Sequence, residues 1–416
     1  MREVWSLTRS AATLLVTRLP FVAFWVLVGW IAREVCTFGA VLLGAQRVPA
    51  LLLFALGLVA WVAGLVLAIR AALPPVLATS DSGLEVRSVR AVLVGAVAPF
   101  MVVISAWGYT EQHVRRAFVM NSAQYGSAWD NFSISFASWQ LYLVIAIVCW
   151  VVQAVIGWIV RSEDNVVVAA VTVILRGVSL LTAFLGVDSA VTLLWGWLQG
   201  RVFWRWGEDL WFGLLDVLPD WHLPWHLTLP ESLQWVADVI TQQLLPGAWN
   251  AILLPLVWLA LVAIVVGHDG SPSGWAKTWG ERLRSGRIGR RVTETDVTSP
   301  LGVLRGIGSS LVEDLVPVLT ALRLLLGSGP VVVGSILLLN AIALAIPDWI
   351  TRALVVAAGP RTWGESVAQA PFFQLAGDVI GWTIIACVTV AGFRRILDTH
   401  AVAAPVSEPA VSPAVA

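Results

Sequence analysis

His222 and His226 stand four residues apart, with Asp216, Asp220 and Glu231 on either side. Imidazole nitrogens and carboxylate oxygens are ligands that zinc accepts, and a spacing of four would put both histidines on one helix face. Pro224 lies between them, and proline breaks a continuous helix. The segment matches no HExxH pattern. We therefore read both histidines as structural or interfacial groups, and expect no metal, no cofactor and no catalytic residue here.

Asp188 is the second chemical feature. It sits in FLGVDSAVTLLW, deep in an apolar stretch. An aspartate at a bilayer centre costs roughly 2.5–3.5 kcal/mol on insertion scales, so it must face a polar partner or water. Asn340, Gln153 and Arg323 lie within or beside other apolar stretches and Arg176 in the same one; these four are its candidate partners. Two roles fit: a protonatable or ion-coordinating group on a transport path, or one half of an interhelical hydrogen bond.

Aromatic residues come third. Nine tryptophans fall between Trp195 and Trp249, among them Trp211, Trp221 and Trp225. Indole prefers the headgroup layer, where its ring is half solvated and its N–H finds a partner. Residues 207–217 and 231–244 then read as short amphipathic helices on the outer leaflet. A platform that stacks on sugar rings or holds lipid chains is the alternative use of the same surface.

Lys277, Arg282, Arg284, Arg287, Arg290 and Arg291 put six cations into fifteen residues. Such a cluster anchors topology. It also suits anionic lipid headgroups, at about 1 kcal/mol per cation near the surface, or an acidic partner. GVLRGIG is not a phosphate-binding loop, and no GxSxG or SxxK nucleophile motif occurs. The balance leans away from an enzyme.

These residues need elements to hold them. The chain has 416 residues, 58% hydrophobic and 12% charged, with mean hydropathy +0.83. Soluble proteins carry about 25% charged residues. Lipid removes the need for a polar exterior. Net charge is zero, so no overall field recruits nucleic acid. Cys36, Cys149 and Cys387 are far apart and read as packing residues. The first apolar segment is too long for a cleavable signal and reads as a membrane span.

The expected fold is all-α: a polytopic integral membrane helix bundle of about eight transmembrane helices, with interfacial amphipathic helices on the outer side. About 20 residues cross the ~30 Å hydrocarbon layer. The spans fall at about 12–31, 48–69, 91–108, 139–160, 166–198, 246–267, 327–346 and 372–392, within one domain over 1–400. Residues 199–245 form the Trp-rich outer segment, 268–312 a basic cytoplasmic loop, and 401–416 a disordered tail. Arg33 and Glu34 fall in a short turn after the first span, and 109–138 reads as a loop. Gln374 and Asp378 read as interfacial, with Gly377 and Gly381 as a GxxxG pairing face. The 166–198 stretch exceeds one straight crossing and should tilt, bend near Gly177 or Gly186, or begin along the interface.

Basic residues set the orientation. With the N-terminus inside, the inner loops hold fifteen and the outer loops eight. Both termini are then cytoplasmic, in the cell membrane. The expected role is transport, or an accessory part in transport or envelope assembly. Alternatives are a membrane-embedded enzyme acting on a lipid-linked substrate at the outer leaflet, and a non-catalytic scaffold subunit. Expected partners are the bilayer, anionic lipids, and a membrane protein or a second copy of the chain.

Overall fold

The computed structural model describes residues 2–44, 47–73, 89–106, 108–125, 139–159, 166–219, 221, 228–244 and 327–403, with single positions and short pieces between 247 and 265. Helix dominates, and no strand occurs among the described residues. The helices are α1 (Arg2–Leu42), α2 (Arg47–Ala72), α3 (Val89–Ala106), α4 (Tyr109–Tyr125), α5 (Trp139–Ile159), α6 (Val166–Gln199), α7 (Val202–Asp216), α8 (Leu229–Asp238), α9 (Pro330–Ala358) and α10 (Trp363–Ala403). A π-helical turn, Val239–Leu244, extends α8.

Six of the described helices have segments long and apolar enough to cross a membrane: Glu3–Leu42, Val48–Ala72, Trp139–Gly157, Val167–Gln199, Pro330–Ala358 and Gly364–Thr399. This is the signature of a multi-pass membrane protein. The exterior agrees with it. Val144, Ile147, Val148, Val151, Val152 and Val155 of α5 are all exposed, an arrangement that lipid tolerates and water does not.

Two T-x-x-E sequences start helices as that pattern dictates. Thr228 Oγ1 accepts from the Glu231 N–H (3.4 Å) while the Thr228 N–H donates to Glu231 Oε2 (2.8 Å), opening α8. Thr362 and Glu365 repeat the exchange at the head of α10. At the C-terminal end of α9, Gly359 takes φ 78° and ψ −176°, a positive-φ conformation open to glycine and strained for other residues.

The core is centred on α2, whose Leu51, Phe54, Leu58 and Trp61 are fully enclosed. Helix α1 runs along it. At their crossing a Cβ built on Gly64 would lie 2.7 Å from the Gly29 Cα. The two backbones touch because neither residue has a side chain. Helices α9 and α10 meet in the same way. A Cβ on Gly377 would come 2.7 Å from the Pro347 carbonyl oxygen, and Gly381 sits against the Pro347 ring. Gly377 and Gly381 thus form a close-packing face toward α9.

Several local expectations differ from what is observed. Helix α1 does not stop near residue 31. It continues to Leu42, so Arg33 and Glu34 lie within a helix. Residues 109–125, read as loop, form α4. The 166–198 stretch, expected to tilt, bend or begin along the interface, is one α-helix, which agrees with a tilted crossing, with Gly177 against Val59 of α2 and Gly186 against Leu143 of α5. Beyond Gly186 much of its surface is uncovered: Val187, Val191, Leu193, Leu194, Trp195 and Trp197 are all exposed. The basic loop 268–312, the tail 404–416 and most of 246–267 lie outside the described residues.

Candidate functional site

Among the described residues, the densest polar chemistry lies where α1, α2, α4 and α10 converge. Trp30, Arg33 and Glu34 come from α1, Trp61 from α2, and Tyr109, His113 and Arg116 from α4. Asp378 and Trp382 come from α10. The Gly29–Gly64 crossing brings α1 and α2 close enough to place the Arg33 guanidinium 5.3 Å from the Trp61 ring centroid. Tyr109, Gln112, His113 and Arg116 follow the i, i+3, i+4, i+7 spacing of one helix face, so α4 turns all four the same way.

Arg33 is the hub, with a side chain only 3% exposed. Its Nε and Nη2 donate to Glu34 Oε1 at 3.1 and 2.9 Å, and Nη2 also reaches Asp378 Oδ2 at 3.4 Å. The Trp30 indole N–H donates to the same Asp378 oxygen at 3.0 Å. Arg116 Nη2 stands 2.9 Å from Glu34 Oε2, near enough to pair but without the alignment of a hydrogen bond. Its guanidinium lies 5.4 Å from the Trp30 ring centroid. Charge that would be expensive to enclose alone is thus enclosed in pairs.

Aromatic rings form the floor. Trp61 meets His113 edge-on at 5.1 Å and Trp382 at 5.5 Å. Burial, with Arg33 and Arg116 adding to it, holds the His113 imidazole well below its usual pKa, so it is neutral. Burial also lowers Arg116, with Glu34 pulling the other way. Burial and the carboxylates of Asp348 and Asp378 push the Tyr109 phenol up.

Beside this network is a cavity of about 310 Å³, walled by Arg33, Trp61, His113, Arg116, Asp348 and Trp382 among others. A second cavity of about 540 Å³ lies across α4, walled by Thr110, Glu111, Tyr142, Asp188 and Ser189. One short helix therefore lies between two cavities, the smaller lined mainly by polar groups and the larger mainly by apolar ones.

Asp188 is exposed and lines the larger chamber. Asn340 is buried elsewhere: Thr389 Oγ1 donates to its Oδ1 at 3.2 Å, and its Nδ2 donates to the Ile336 carbonyl. Gln153 and Arg176 are half-buried on α5 and α6. Trp211, Asp216 and Trp221 are exposed on or just after α7. Asp220, His222, Trp225, His226, Lys277, Arg282, Arg284, Arg287, Arg290, Arg291 and Arg323 lie outside the described residues. Among the described residues no group of three His, Cys, Asp or Glu side chains is placed to hold a metal ion.

Sequence reasoning overlooked the Arg33 network because its members are scattered singly. Arg33 and Glu34 looked like a turn, Asp378 like an interface residue, and His113 and Arg116 like a loop. One signal was available: Tyr109, His113, Ala117 and Asn121 repeat at every fourth position, the mark of a helix face. No family model, curated protein or solved structure matches the chain.

Proposed function

We propose that this chain is an eight-span protein of the cell membrane, with both termini cytoplasmic, that serves in transport or as an accessory part of transport or envelope assembly. One observation carries the reading: α4 lies between two cavities, and each has ionisable side chains in its wall, Arg33, Arg116, Asp348 and Asp378 in the smaller and Glu111 and Asp188 in the larger. Ionisable groups within a membrane bundle are expensive to keep and mark solute or ion pathways. In this reading the Arg33–Asp378 chamber contacts a small polar solute, and Asp188 serves the chamber across α4. Helices α7 and α8 rest on the outer leaflet through exposed residues such as Trp206, Trp211 and Trp235.

The test compares cells making the wild-type chain with cells making Asp378→Asn at equal membrane abundance. Mass spectrometry of cytoplasm and medium should show at least one small solute redistributed by the wild type and not by the variant. Identical solute profiles in wild-type, variant and chain-free cells would remove the transport reading.

A further inference from the structure

Arg395 pins the end of α10 to the start of α1: its Nη2 and Nε donate to the two carboxylate oxygens of Glu3 at 2.9 and 3.1 Å. Near that pin the two helices share a surface cleft of about 400 Å³. Its wall includes Trp5, Arg9, Ser10, Thr13 and Leu14 from α1 and Arg394 from α10, and no carboxylate is among its described wall residues. The charges at this end do not cancel. Arg395 is held by Glu3, whereas the guanidinium groups of Arg9 and Arg394 are exposed and make no ion pair or hydrogen bond among the described residues. Asp398 lies one turn beyond Arg394 on α10, outside the wall, and pairs with neither. Ser10 is half-buried, and its hydroxyl likewise has no hydrogen-bond partner there. A guanidinium fork matches the oxygens of a phosphate, and a serine hydroxyl can donate to a third oxygen.

The same face of α1 runs on into the span as an apolar lane. Val16, Pro20 and Phe24 follow Thr13 at helical spacing, and all three are exposed, Val16 by 80% and Phe24 by 55%. Rising ~1.5 Å per residue, the stretch from Thr13 to Phe24 covers roughly 16 Å, near half of the ~30 Å hydrocarbon layer. Trp5, exposed at the opposite end of the cleft, suits the headgroup layer. A free phosphate would use the cations but not this lane. Basic pockets between membrane helices are recurrent sites for anionic headgroups. We propose that the cleft binds an anionic phospholipid of the leaflet that holds both chain ends. Arg9 and Arg394 take the phosphate between them, Ser10 donates to it, and one acyl chain lies along Val16, Pro20 and Phe24. The inference requires a bilayer around the bundle but not transport.

The full-length protein in an uncharged detergent is titrated with dioleoyl phosphatidylglycerol, dioleoyl phosphatidylcholine and glycerol 3-phosphate. Thermal unfolding is the readout. Phosphatidylglycerol should raise the midpoint saturably, and the other two at equal concentration should not. Arg9→Gln and Arg394→Gln should each weaken the affinity about fivefold, and the double variant at least tenfold. Their lipid-free midpoints should match the wild type, because both side chains are exposed. A phosphatidylglycerol with a diazirine midway along an acyl chain should crosslink to α1 between Val16 and Phe24, as mass spectrometry of the digested protein would show.

The inference is overturned if phosphatidylglycerol does not stabilise the protein, or if phosphatidylcholine does so equally. Stabilisation by glycerol 3-phosphate alone also overturns it and identifies a free solute instead. A double variant that binds phosphatidylglycerol as tightly as the wild type, or crosslinks absent from that stretch of α1, is equally fatal. The crosslinking map uses the wild-type chain, so it stays decisive should a variant not fold. Lipid binding here without solute redistribution in cells would leave this site standing and remove the transport reading alone.

Discussion

Arg33 and Asp378 are 345 residues apart in the chain, yet the Arg33 Nη2 lies 3.4 Å from the Asp378 Oδ2. The pair ties the first long helix to the last. Replacing Arg33 with methionine fills the space but leaves Glu34 and Asp378 enclosed beside Arg116 alone. Removing one member of a buried ion pair typically costs about 3–5 kcal/mol. We expect a loss of that size in denaturant unfolding in mixed micelles. The double change Arg33→Met, Asp378→Asn should recover part of it, because Glu34 then keeps Arg116 as its partner and no unpaired carboxylate remains.

His113 sets a pH dependence whose sign is fixed. Burial, Arg33 and Arg116 lower its folded pKa well below the ordinary 6.5. Below that pH the unfolded chain takes up a proton that the folded chain refuses. Stability is therefore full above 6.5 and falls as the pH drops, by up to about 1.4 kcal/mol per unit. Thermal midpoints between pH 7.5 and 5.5 should decline in the wild type and flatten in His113→Asn. An unchanged slope in the variant would mean that another group controls it.

Gly64 and Gly157 should respond to alanine with opposite signs. A Cβ on Gly64 meets backbone at 2.7 and 2.9 Å, at Gly29 and Trp25. Overpacking of this kind costs roughly 1–3 kcal/mol. A Cβ on Gly157 meets nothing within 4 Å. There alanine should gain about 0.5–1 kcal/mol by removing glycine's backbone entropy. Unfolding midpoints of the two single variants give the comparison.

Arg395 Nη2 and Nε reach both carboxylate oxygens of Glu3, at 2.9 and 3.1 Å. The start of α1 and the end of α10 are therefore at the same end of the bundle. With Cys36, Cys149 and Cys387 replaced by alanine, Ser6→Cys and Asp398→Cys should both react with an impermeant maleimide only after cells are permeabilised. Ser232→Cys should react in intact cells. Labelling of residues 6 and 398 from opposite sides would contradict the pairing.

The membrane class was legible because span-length apolar runs have few other uses, and α2 and α5 follow directly from them. The close-packed glycines were half legible: GxxxG marks Gly377 and Gly381, but the partner helix is chosen by three-dimensional fit. The ion network was not legible. Each member has a bland local explanation, and the pairing of positions 33 and 378 depends on tertiary closure, which no sequence window contains. Weight fell instead on Asp188, isolated within an apolar run, and on the conspicuous tryptophans. Helix α4 was missed because Glu111, Arg115 and Arg116 depress its hydropathy, although its buried face recurs with helical period.

Where α9 and α10 touch, Gly377 meets the Pro347 carbonyl and the Thr351 hydroxyl, and Gly381 meets the Pro347 ring, so α10 puts no side chain between the two helices at these positions. Helix α4 is shorter and polar, with a chamber on each side of it. Any shift of α4 would therefore alter both cavities together, because each takes part of its wall from that helix.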